Sequence, residues 1–170
     1  MTDDKIITDK IISTLVIKMA EYNQGDTRRI NHALKVFSFA QTIGRAEGLC
    51  PGMQFQLEMA AILHDIGIHE SEKKHSSSNG KYQEIEGPVI AENFLKSLDI
   101  CQECIDRVKF LVGHHHTYPA IDQLDFQILV ESDFLVNIDE DQMNSAQIEA
   151  IKKNIFKTQT GIRLLNALFM

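Results

Sequence analysis

Apolar residues recur along most of the chain at intervals of three and four, the spacing that lines one face of an α-helix. Ile6, Ile7, Ile11, Leu15 and Met19 form the first stripe, and the turn around Gly25 ends it. Asp26 or Thr27 can cap a longer second helix, which Gly48 and Pro51 bring to a stop near Gly48. A third helix is expected from Gln54 to Asp65.

The stretch from Gly67 to Lys81, GIHESEKKHSSSNGK, loses this periodicity and gains Ser, Asn and charge. It reads as an exposed loop, either a plain connection or a lid over a site. Pro88 suits the first turn of another helix through Leu98, and apolar stripes resume over Ile100 to His116 and Gln123 to Asn137. Two shorter helices near 144–157 and 160–169 close the chain. Strand-type alternation and internal repeats are missing, so the expected class is all-α, with residues 1–170 in a single domain.

Composition adds exclusions. With 44% hydrophobic and 24% charged residues, the chain has globular composition. Its net charge of -7 argues against long nucleic acid as a partner, because phosphate-backbone binders present a basic face. A small phosphorylated substrate remains compatible, since bound metal ions can outweigh surrounding acidity. The acidic start MTDDKIITDK and the lack of a long apolar run argue against a secretory signal and a membrane span. Cys50, Cys101 and Cys104 form an odd set without a disulfide framework, which fits reduced thiols and a cytoplasmic location. Cys101 and Cys104 have the gap of a zinc knuckle but lack a second pair, and read as buried or helix-start thiols. The apolar end IRLLNALFM reads as core or as the contact of a homodimer.

The candidate chemistry lies where polar residues interrupt apolar stripes. His32 shares a face with Val36, Phe39 and Ile43; Leu57, Ala60 and Ala61 lead to His64, with Asp65 beside it. Val108, Leu111 and Val112 lead to His115, with His114 and His116 as its immediate neighbours, and Asp133 interrupts the stripe of Phe126, Leu129, Val130 and Val136. Any one such residue is explained as a hydrogen-bonded core group. Four apolar faces each presenting His or Asp, in a chain with 7 His, are explained together by one shared metal ion.

In their order, His32, then His64 with Asp65, then Asp133 resemble the H…HD…D signature of the HD superfamily of metal-dependent phosphohydrolases. The matching segments, RRINHALKVFSFAQTIGRAEGL, AAILHDIG and ILVESDFLVN, lie between Asp26 and Asn137. The resemblance implies an HD-domain helical bundle with a five-helix core, here with extra N- and C-terminal helices. It also implies His32, His64, Asp65 and Asp133 as ligands of a primary metal. Two-metal members carry further histidines. EGPVIAE looks like their HGPVGAE with Glu86 in the place of His, and His114 and His115 fall where a further pair would lie. No GYP motif follows, so the branch within the superfamily stays open.

Mixed nitrogen and oxygen donors suit Mn, Fe, Co, Ni or Zn, as one or two ions. Asp65 is the expected catalytic residue, bridging two ions or orienting water. Arg29, Lys73, Lys74 and Lys81 are candidates for substrate phosphate, whereas His69 and His75 read as solvent-facing. The expected function is hydrolysis of a phosphoester or phosphoanhydride in a small, nucleotide-like substrate. The alternatives are a nucleotide-binding regulatory module without turnover and oxidative cleavage at a di-iron centre.

Overall fold

The computed structural model describes residues 3–170, with side chains from residue 6 onward. Among the described residues the architecture is entirely helical, as the periodicity implies: α1 Asp3–Tyr22, α2 Thr27–Ala46, α3 Pro51–Leu63, α4 Ile68–His75, α5 Gly80–Lys96, α6 Gln102–Val112, α7 Leu124–Glu140, α8 Ser145–Asn154 and α9 Gln159–Phe169. A short 3-10 turn at Tyr118–Ala120 joins α6 to α7. None of these helices is long and apolar enough to cross a membrane.

Local chemistry sets the boundaries. The Asp26 carboxylate accepts a hydrogen bond from the Arg29 amide at 3.0 Å, capping α2. Gly48 then ends that segment at φ 78°, a left-handed conformation that glycine adopts without steric penalty. Pro51 opens α3, and from Leu57 onward every residue of that helix is buried.

Helices α2, α3, α5, α6 and α7 form the five-helix core. α3 packs on α2, α6 and α7, while α5 joins through α6. α1 covers α3, and α9 covers α7 and α2. Leu15, Val36, Ile43, Leu57, Leu63, Leu95, Leu111 and Phe126 are wholly removed from water. Each such burial stabilises the fold by about 1.5–3 kcal/mol before conformational entropy is charged.

Two expectations are corrected. The segment read as a loop contains α4, because Ile68 and Ser71 form a buried edge against α5 and the Ser71 hydroxyl donates to the Ser77 carbonyl at 2.5 Å. Glu70 in its first turn and Lys73, Lys74 and His75 in its last suit the helix dipole. Likewise α5 begins at Gly80, and Pro88 sits inside it instead of opening it. Its ring faces Gly113, where a Cβ would lie 3.0 Å from Pro88 Cγ and 3.5 Å from the Glu84 carbonyl oxygen. The glycine makes room for the ring and for the carbonyl that proline leaves without its helical donor.

Candidate metal centre

Three helices bring their polar interruptions to one place. His32 comes from the first half of α2, His64 and Asp65 from the turn that follows α3, and Asp133 from the middle of α7. His32 Nε2 lies 3.1 Å from Asp133 Oδ1, 3.2 Å from His64 Nε2 and 3.6 Å from Asp65 Oδ2. His64 Nε2 is 3.5 Å from Asp65 Oδ2 and 3.6 Å from Asp133 Oδ1. His64 is completely buried, while 24% of the Asp65 side chain reaches solvent.

The other ring nitrogens are already engaged. His32 Nδ1–H donates to Glu140 Oε2 at 3.2 Å, and Lys35 donates to the same carboxylate at 3.0 Å. His64 Nδ1–H donates to the Ala61 carbonyl at 2.8 Å, and His115 Nδ1–H donates to the Val112 carbonyl at 2.9 Å. Both carbonyls belong to the last turns of helices, where the backbone ladder leaves acceptors unpaired. With each neutral ring protonated at Nδ1, the Nε2 lone pairs of all three imidazoles turn inward toward carboxylates.

Such a set is a nest of electron pairs that needs a positive charge. Where no metal is bound, a proton would fill that need. Burial resists charging His64, but Asp65 and Asp133 overcome it and push its pKa up to about 9. His32 moves upward in the same way, against its burial, chiefly through its hydrogen bond to Asp133. Burial alone would raise both aspartates, yet the neighbouring imidazoles hold them well below the usual carboxylate range. At this site one ring nitrogen stays unsatisfied: His115 Nε2 is buried without a hydrogen-bond partner, although Asp65 Oδ1 lies 3.4 Å away.

The residues therefore fit a divalent cation. Among the described residues two donor groups have ligand atoms within 4.8 Å of one another: His32, His64 and Asp65, and then Asp65, His115 and His116. Asp133 adds its carboxylate to the first through the contacts above. Asp65 is common to both groups.

The later residues take positions that the sequence left open. His115 and His116 join Asp65, while His114 donates from Nδ1 to the Phe110 carbonyl at 2.8 Å and stacks on the Phe110 ring. Burial and the adjacent His115 lower the His116 pKa to about 4, so this ring is neutral at pH 7. Glu86 is taken up elsewhere, accepting from Lys74 at 2.7 Å and from His75 at 3.0 Å. Thus the structure brings His32, His64, Asp65, Asp133 and His115 together, and directs Glu86 and His114 to other partners.

A cleft of about 440 Å³ opens onto His32 and Asp65, with Arg28, Arg29, Gln83 and Asn137 among its walls. Arg29 donates to Glu72 at 2.6 Å and lies 3.1 Å from Asp26. Lys74 is paired with Glu86 and Glu70, Lys73 lies 4.0 Å from Glu70, and Lys81 is exposed. Of these four phosphate candidates, Arg29 alone lines the cleft, and Arg28, which the sequence did not single out, lines it too. Glu140 was also missed. The available signal was its position seven residues after Asp133, on the same face of α7.

The profile of the HD domain matches residues 29–151. A solved structure described as a predicted HD superfamily hydrolase, from an uncultured Thermotogales bacterium, superimposes with a TM-score of 0.64 at 19% identity, covering 94% of this chain and 83% of that one. Among curated proteins none matches.

Proposed function

The chain belongs to the HD domain family, and on that footing we propose that it is a metal-dependent phosphohydrolase acting on a small, nucleotide-like phosphorylated substrate. The observation that carries this reading is the inward convergence of His32, His64, Asp65 and Asp133, with His32 and Asp65 open to a water-accessible cleft. The description of the Thermotogales structure as a hydrolase points the same way.

His32, His64, Asp65 and Asp133 would hold a first divalent ion, and Asp65, His115 and His116 a second. The chemistry such ions supply is Lewis acidity, which lowers the pKa of a water and polarises a phosphoryl oxygen. Glu140, Ala61 and Val112 fix the tautomers of His32, His64 and His115, so that no ring must reorient before binding. Asp65 is the catalytic residue in this reading. It is the partly exposed carboxylate of the set, and its Oδ atoms can accept the hydrogen bond that aims a water at phosphorus. Arg28 and Arg29, at the cleft wall, offer guanidinium donors to the remaining phosphate oxygens.

The test is a panel of phosphomonoesters, nucleotides and phosphoanhydrides incubated with chelator-free protein and added Mn, Co, Ni or Zn. Release of phosphate over many turnovers, abolished by Asp65→Ala, is the expected result. Binding without turnover would favour a regulatory module, and oxygen uptake with two irons per chain would favour oxidative cleavage. Inactivity of the folded protein across all metals and substrates would overturn the proposal.

A further inference from the structure

The second chemically notable cluster lies at the opposite end of α6 from His115 and His116. Cys101 is the N-cap residue of that helix, in extended backbone at φ -60° and ψ 147°, and Cys104 falls in its first turn. Residues three apart on a helical turn are neighbours at roughly 5–6 Å between Cβ atoms. A disulfide takes Cβ atoms about 3.5–4.5 Å apart, so the pair must draw together by about 1–2 Å, and their thiols already share a hydrogen bond. Cys101 is exposed and Cys104 is partly so. The Gln56 amide donates to Cys104 Sγ at 3.7 Å from the facing helix α3. Both cysteines border an apolar hollow of about 240 Å³, formed with Ile7, Ile11, Phe55 and Ile100.

A zinc knuckle is a poor account of this pair. The two donor groups able to hold an ion among the described residues include neither cysteine. Two thiols on one turn, reachable from solvent and placed at the positive end of a helix dipole, suit thiol–disulfide exchange instead.

We infer that Cys101 and Cys104 form a redox modification site, in which Cys101 attacks a small neutral disulfide and Cys104 resolves the adduct. The Cys101 thiolate attacks one sulfur of the reagent, forming a mixed disulfide and releasing one thiolate, which takes up the proton that Cys101 lost. Cys104, losing its own proton to water, then attacks the Cys101 sulfur and expels the second thiolate, which is protonated in turn. Two protein thiols are oxidised to one disulfide, and one reagent disulfide is reduced to two thiols. The order of attack follows from the environment: contact with the Cys104 thiol and amide favours the Cys101 thiolate, whereas burial disfavours that of Cys104. Asp99 beside the hollow and Glu103 in the first turn make it unfavourable for anionic reagents. This is why the class is a neutral disulfide.

Cys50 provides an internal control, because it too is an exposed helix N-cap but has no cysteine three residues on. The experiment treats reduced full-length protein with bis(hydroxyethyl) disulfide, quenches in acid, alkylates, and reads intact and peptide masses. Wild type should lose two hydrogens as Cys101 and Cys104 join within one peptide. Cys104→Ser should accumulate the hydroxyethyl adduct on Cys101 about tenfold faster than on Cys50, and Cys101→Ser should lose that fast phase. Circular dichroism establishes that each variant is folded. Separate adducts on Cys101 and Cys104 in wild type, or a Cys101 rate equal to that of Cys50, would overturn the inference.

Discussion

His32 Nε2 and His64 Nε2 face one another at 3.2 Å, and each ring already donates its Nδ1 proton elsewhere. Two lone pairs at that distance repel unless a proton or a metal lies between them. Adding Mn, Co, Ni or Zn to chelated protein should therefore raise the thermal midpoint, by an amount equivalent to about 2.7 kcal/mol when free metal is one hundred times its Kd. Differential scanning fluorimetry checks this, and no response to any of the four metals would count against the metal centre.

Glu140 reaches the metal-binding set through His32 Nδ1 and also lies 3.9 Å from Arg28 at the cleft wall. Replacing it by glutamine keeps the size and removes the charge that favours the Nδ1-protonated ring. Glu140→Gln should weaken metal binding by roughly 10–100-fold with little change in the melting of the chelated protein. Competition against a chromophoric chelator measures the first quantity and calorimetry the second.

In the metal-free protein the raised His64 pKa sets a pH dependence of stability. Since its folded value of about 9 exceeds the ordinary imidazole value of 6.5, the contribution is fully present below about pH 6.5 and disappears as pH rises through 9. Urea unfolding in the presence of chelator should show stability falling across that window, and Asp133→Asn should flatten the fall. A rise in stability over the same window would contradict the assignment.

Gly67 carries the chain from the His64–Asp65 turn past α5 at close range. A Cβ there would lie 2.7 Å from the Gln83 carbonyl oxygen, 2.7 Å from the Gly87 nitrogen and 2.9 Å from Gly87 Cα. Backbone cannot yield as a side chain does, so Gly67→Ala should destabilise by about 1–3 kcal/mol and reduce metal affinity as well. Gly80→Ala would press on the His116 ring and should disturb the second donor group more than the first. Denaturant melts and metal stoichiometry separate the two effects.

The apolar stripes of α2, α3 and α7 could be read directly, because their buried faces carry enough Leu, Ile, Val and Phe to dominate the pattern. The residues interrupting those stripes, His32, His64 and Asp133, were legible for the same reason. α4 was not, since only Ile68 and Ser71 of its residues are buried, and a serine does not register as apolar. Pro88 misled about the start of α5, because the gap that admits its ring is provided by Gly113, far along the chain. The stripe of Val108, Leu111 and Val112 led to His115, but which neighbour joins it, His114 or His116, was beyond periodicity. α6 ends at Val112, and from there turn geometry decides which ring faces Asp65. Glu140 acts on His32 across 108 residues, a relationship that one sequence does not display.

His64 and His115 each hang from a carbonyl three residues back, in the closing turn of α3 and of α6. Fraying either helix by a single turn would swing its imidazole out of line and open the coordination sphere while the rest of the bundle stayed intact. The rate at which a captured ion escapes should then follow the local opening of these two helix ends, and exceed the rate of whole-chain denaturation.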